Sequence, residues 1–250
     1  MGKVVQKPGR LLTDSPFLLL FRKSLMGDLE VKIFNTICSV IVIFTAAAFI
    51  LTLSQNIVFR SPEVYSFYFN DSRAVGKIHT TLTSGEMSDE IVSFINSWRP
   101  EKFEILEDTG YDMESIFTDE ESINMMAVKR VMDMSGIILI VSLIVTVAIY
   151  VHFLRLGRKK VLSDMFKVTI ALVIAGIIAE IWFMATNGGR IMVMAALNMV
   201  SLKEDSQLTI LLGADFLNMS TMFLVVLTLI VLAVCAYVNR ILTKPPRIFY

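Results

Sequence analysis

Apolar positions along this chain gather into four runs long enough to cross a bilayer. Covering about 30 Å of hydrocarbon as a helix takes about 20 residues at 1.5 Å each. No side chain between Lys32 and Arg60 carries a formal charge, and the most apolar part is Ile33 to Leu53. A second run extends from Met134 to Leu154. A third follows Lys167 and reaches Gly189, interrupted only by Glu180, and a fourth runs from Phe216 to Asn239 before Arg240. Ile191 to Leu202 is also apolar, but twelve residues are too few to span.

The polar stretches between these runs carry their own patterns. The segment from Ser54 to Met132 is long enough for an ordered cap rather than a simple connector. Met87, Ile91, Phe94, Ile95 and Trp98 recur at helical spacing before Pro100, which predicts an amphipathic helix. Thr118 followed by Glu121 forms a capping box, so another helix starts there and runs without a break into the second span. Tyr65, Phe67, Tyr68 and Phe69 cluster just beyond the first span and read as an interfacial aromatic belt, with a substrate platform as the alternative.

The expected fold is an all-α membrane protein. It has four transmembrane helices, a largely helical extracellular cap between helices 1 and 2, and a shorter interfacial element between helices 3 and 4. In order, residues 1–32 form a basic segment, 33–53 the first span, 54–132 the cap and 134–154 the second span. Residues 155–167 form a loop, 168–189 the third span, 190–215 the interfacial element, 216–239 the fourth span and 240–250 a tail.

Composition agrees with this pattern. Hydrophobic residues make up 55% and charged residues 18%, and the mean hydropathy is +0.66, which excludes an ordinary soluble domain and a disordered chain. Two cysteines exclude a disulfide scaffold. The net charge of zero hides an asymmetry: residues 1–32, 155–167 and 240–250 hold 14 Lys or Arg against 4 Asp or Glu, while the rest holds 9 against 19. Basic loops stay in the cytoplasm, so both termini are expected inside and the acidic cap outside. The basic residues are juxtamembrane, which suits anionic lipid headgroups rather than nucleic acid.

Candidate chemistry is sparse. Glu180 is an ionisable side chain within an apolar span, costly there unless paired, protonated or facing a wet cavity. Arg190 is its nearest basic neighbour in sequence, but ten residues put them about 15 Å apart on a straight helix, so pairing requires the chain to turn back at Gly188 and Gly189. His79 has no second ligand at metal-binding spacing, and no phosphate loop, nucleophile elbow or dinucleotide fingerprint occurs. No metal and no cofactor are expected.

Phe67, Tyr68 and Phe69, the Met87 to Trp98 helix, the segment from Phe117 to Lys129, and the run from Leu197 to Leu211 follow the order of a known pattern. Over about 200 residues the chain resembles a family of bacterial four-span membrane proteins that includes the lipoprotein intramolecular transacylases. The resemblance implies a bacterial cell membrane, with membrane lipids and lipoproteins as partners. It also implies movement of an acyl chain from the glyceryl group of a lipidated cysteine to that cysteine's amine. Such transfer needs a general base and donors for an oxyanion.

In the family pattern a histidine precedes the methionine in each of the last two motifs; here those places hold Asn124 and Asn198. An asparagine amide does not take up a proton near neutral pH. Asn124, Asn198 and Glu180 are therefore the catalytic positions to inspect, and Tyr68, Glu121, Arg190 and Asp205 the lipid-binding ones. Three readings follow: a lipid- or lipoprotein-binding protein with impaired catalysis, an active transacylase with Glu180, Glu121, His79 or Asp205 as a displaced base, or a non-enzymatic membrane assembly factor. Sequence leaves the oligomeric state open.

Overall fold

Two capping boxes fix where the outer helices begin. In the computed structural model, Thr83 Oγ1 accepts from the Glu86 backbone N–H (3.3 Å) and the Glu86 carboxylate accepts from the Thr83 N–H (2.8 Å), which starts α3 (Ser84–Asn96). Thr118 and Glu121 repeat the arrangement at α4 (Asp119–Arg155), a helix of 37 residues that continues from the cap through the second span. The remaining elements are α1 (Pro16–Phe59), α2 (Pro62–Ser72), a 3₁₀ turn (Val75–Lys77), a short strand pair β1 (Leu106–Asp108) and β2 (Met113–Ser115), α5 (Lys159–Ala185), α6 (Asn187–Ala196), α7 (Gln207–Leu212) and α8 (Ala214–Thr243). The structure describes residues 16–78, 80–98, 102–108, 113–196 and 206–244.

The chain divides into two units, Met1–Ile41 and Val42–Tyr250. The described part of the first is the amino-terminal portion of α1. The second holds the cap and the rest of the helices.

Four helical stretches are long and apolar enough to cross a membrane: Lys32–Phe59 within α1, α4, α5, and Gln207–Thr243. Many of their large apolar side chains point outward, among them Ile137, Ile144, Ile178 and Val226, as expected where the surrounding solvent is lipid. Helices of the second unit are also tied by polar pairs. Thr146 Oγ1 donates to Thr45 Oγ1 (3.0 Å), Asn56 Nδ2 to Ser135 Oγ (2.9 Å), and Tyr150 OH to Asn239 Oδ1 (3.3 Å).

The cap has its own core. Phe69, Met87, Ile91, Ile95, Phe103 and Met125 are fully or nearly fully buried, and the cluster extends to Leu208, Leu211 and Phe216. Tyr65 stacks on Phe216 with ring centroids 4.9 Å apart, and Tyr68 meets the same ring edge-on at 5.4 Å, so the cap rests on the start of α8. Arg60 secures the junction: its guanidinium donates to Asn56 Oδ1 (2.9 Å), Asn96 Oδ1 (2.8 Å) and the Met132 carbonyl (3.1 Å). The Lys129 ammonium donates to the carbonyls of Phe94 (3.2 Å), Ile95 (3.3 Å) and Ser97, placing a buried cation at the negative end of α3.

Several sequence expectations change. Tyr65, Tyr68 and Phe69 are not a belt at the membrane interface: Pro62 starts a helix that turns them inward as core, and only Phe67 of the four is exposed. Trp98 is not on the apolar face of α3, because the helix ends at Asn96, Ser97 turns extended, and Trp98 is fully exposed. The expected loop at 155–167 is mostly helix. Lys and Arg are good helix formers, and Gly157, with φ of 68°, makes the turn between α4 and α5 in three residues. The cap is largely helical but also carries the β1–β2 pair, antiparallel with Glu107 opposite Glu114.

Candidate functional site

The second unit holds a half-open cavity of about 520 Å³, bounded by α1, α2, α4, α5, α6, α7 and α8. Its walls are mainly apolar, with Leu51, Val131, Met184, Phe216 and Leu224 among them. Phe216 and Thr228 both line it, and twelve residues of α8 separate them, a depth of about 18 Å at 1.5 Å per residue.

Among the described residues, five polar side chains line this space: Gln55, Tyr65, Glu180, Thr221 and Thr228. Three are committed to the protein. Gln55 Oε1 accepts from Ser135 Oγ (3.1 Å), Tyr65 OH donates to the Phe59 carbonyl (3.0 Å), and Thr221 Oγ1 donates to the Leu217 carbonyl (2.8 Å). Burial pushes the Tyr65 phenol well above its ordinary range, an effect only partly offset by the nearby Arg60 charge, so it remains a donor at neutral pH. Thr228 is fully buried, and its hydroxyl has no hydrogen-bond partner among the described residues. Glu180 is half-buried and makes no hydrogen bond or ion pair with any described residue.

The turn after α5 explains why Glu180 and Arg190 do not meet. The helix ends at Ala185, four residues short of the expected limit of the third span, and the chain reverses at Thr186 rather than at the glycine pair. Thr186 Oγ1 accepts from the Gly189 N–H (3.2 Å), which starts α6. A β-carbon at Gly189 would lie 2.1 Å from the Phe183 carbonyl oxygen, so this close approach requires glycine. Arg190 is carried to Asn187, whose Oδ1 accepts from it at 2.6 Å. No ion pair joins Glu180 to Arg190.

The other sequence-derived positions have different placements. Asn124 lies on α4 and is buried within the cap, not on the cavity wall. Glu121 is buried one turn earlier; its Oε2 completes the capping box and its Oε1 accepts from the Leu208 N–H (3.0 Å), which fastens α7 to α4. Tyr68 is in the cap core and reaches the cavity only through its contact with Phe216. Asn198, Asp205 and His79 lie outside the described residues. Among the named catalytic and lipid-binding positions that are described, Glu180 is the one on the cavity wall. No described group of His, Cys, Asp and Glu is arranged to hold a metal ion.

Sequence reasoning passed over Gln55, Gly176, Thr221 and Thr228. The last two are seven residues apart, two helical turns, so one face of α8 carries a polar mark at two depths. That spacing is readable in the sequence.

No family model and no curated protein matches the sequence. The fold is that of solved structures of the membrane integral lipoprotein intramolecular transacylase Lit from Bacillus cereus. One gives a TM-score of 0.64 at 15% identity, covering 84% of this chain and 96% of that one. Two variants of the same enzyme, with one histidine replaced by arginine or by alanine, give 0.67 at 15% and 14% identity and cover 89% of this chain. They cover 96% and 97% of their own chains.

Proposed function

We propose that this membrane protein with the lipoprotein-transacylase fold takes the acyl chain of a membrane lipid, or of a lipid-anchored protein, into the cavity and does not transfer it. The observation that carries this reading is the apolar cavity, which falls within the range of about 300–1,000 Å³ typical of small-molecule sites. Its length along α8 suits an extended chain, and its walls are apolar apart from a few isolated polar groups. The charge asymmetry of the loops supports a cell-membrane protein with both termini cytoplasmic, so that the cap side of the cavity faces the outer leaflet.

The absence of transfer rests on the residues at the two motif positions. Asn124 offers an amide where general-base catalysis needs a proton acceptor, and such catalysis supplies about 10²- to 10⁴-fold in rate. One observation favours an active enzyme instead: the Glu180 carboxyl faces the cavity and is not engaged by any described residue.

Mass spectrometry of N-terminal lipopeptides separates the two, using cells with and without the protein in a background that lacks other N-acylation. The expected result is no change in the position of the acyl chain. A shift of one chain from glyceryl to amine would replace this reading with the active one. Photo-crosslinking with a diazirine-bearing acyl lipid tests the binding itself, with adducts expected at Val131, Thr221 and Leu224 and none in the cap core.

A further inference from the structure

We infer that Glu180 makes the cavity selective for amphiphiles with a protonated amine and against those with an anionic head. The inference rests on the cavity being a lipid site and concerns which lipid it takes. Among the described residues no lysine, arginine or histidine lines the cavity, so an ammonium there meets no competing cation from them and an anion meets no counter-charge. Of the neutral polar groups, Gln55 Oε1, Tyr65 OH and Thr221 Oγ1 already bond to Ser135, Phe59 and Leu217, and the Thr228 hydroxyl, which has no described partner, carries no charge to rank an amine above an alcohol. The cation nearest in sequence, Arg190, is held by Asn187.

A carboxylate in an apolar wall carries a desolvation cost that a paired cation relieves. An ammonium supplies both the opposite charge and hydrogen-bond donors. An alcohol supplies a donor without charge. A phosphate or carboxylate head would have to shed water beside a group of the same sign. Position fits this role too. Glu180 sits one turn from Gly176, where an added β-carbon would meet Leu51, and the apolar walls continue past it towards Thr228. A head held at Glu180 therefore leaves its chain among Leu51, Leu224 and Gly176.

The test compares hexadecylamine, hexadecanol and palmitic acid on the purified full chain in neutral detergent at pH 7, read by native mass spectrometry. A charge-assisted pair in place of a neutral contact corresponds to about tenfold tighter binding of the amine over the alcohol, with the acid weakest. Glu180→Gln, which keeps the shape, is expected to bring the amine-to-alcohol ratio close to one. Gly176→Phe, whose β-carbon would already press on the tip of Leu51 (3.2 Å) at the cavity wall, should abolish binding of all three and so separate the cavity from adsorption to the acidic surface.

Equal binding of amine and alcohol, preference for the acid, or an amine preference that survives Glu180→Gln would each overturn the inference while leaving the lipid cavity intact. Failure of all three probes to bind the unaltered protein would overturn the cavity reading and this inference together. The ranking on the unaltered chain decides the matter even where the Gln variant does not accumulate.

Discussion

The cap and the cavity beside it share residues but differ in how they use space. In the cap, Phe69, Met87, Ile91 and Ile95 leave almost no exposed area, and Glu121 uses both carboxylate oxygens to join α4 to its own start and to α7. In the cavity, Leu51, Val131 and Leu224 face open volume, and neither the Glu180 carboxyl nor the Thr228 hydroxyl is matched by a described residue. Close packing stabilises the first region. The second forgoes packing, which is what a ligand site requires.

The sharpest way to break this contrast is to truncate a side chain in each region. Phe69→Ala in the cap core should cost about 3–5 kcal/mol, whereas Leu51→Ala on the cavity wall should cost about 1–2 kcal/mol, because one side of Leu51 already faces the cavity. Chemical denaturation in detergent measures both, and equal losses would erase the distinction. Next in size, Glu121→Ala should destabilise by about 1–3 kcal/mol through two unsatisfied backbone donors, with faster hydrogen exchange at Leu208 as its local mark.

A smaller effect of opposite sign is expected inside the cavity. Thr228→Val removes a buried hydroxyl that has no described partner and should be neutral or stabilising by up to about 1 kcal/mol in thermal unfolding. The smallest effect is one of pH. Two hydrogen bonds from Thr83 hold the Glu86 carboxyl below its ordinary range, so its contribution to the start of α3 is present at neutral pH and is lost as acid protonates it. Amide protection at Thr83 and Glu86 should fall below the ordinary carboxylate range; Glu86→Gln should remove that dependence, whereas Thr83→Ala, which keeps the backbone donor, should only reduce it.

Much of this architecture is written in local signals. The four spans follow from charge-free runs, and Thr118 with Glu121 marks the start of α4 to the residue. The same signal at Thr83 and Glu86 is equally legible and places the start of α3 ahead of the apolar spacing from Met87 onward, a spacing that extends to Trp98 although the helix ends before it. Tyr65, Tyr68 and Phe69 mislead because aromatic residues next to a span suit either a bilayer interface or a buried core. Only the direction set by Pro62 and the facing ring of Phe216 decides between them. Glu180 stands out in sequence as a charge within a span. That it shares a wall with Thr221 and Thr228 depends on the pairing of α5 with α8, which no local pattern encodes. The turn that a Glu180–Arg190 pair would require at the glycines comes earlier, at Thr186, and Arg190 bonds to Asn187 instead.

The central claim is that the cavity holds a lipid chain. Native mass spectrometry of the protein released gently from its own membrane, beside the Gly176→Phe variant prepared in the same way, tests it most directly. The account predicts one lipid-sized adduct on the unaltered protein and its loss from the variant, with both remaining folded. An unaltered protein that carries no lipid, or a variant that retains the same adduct, would contradict it.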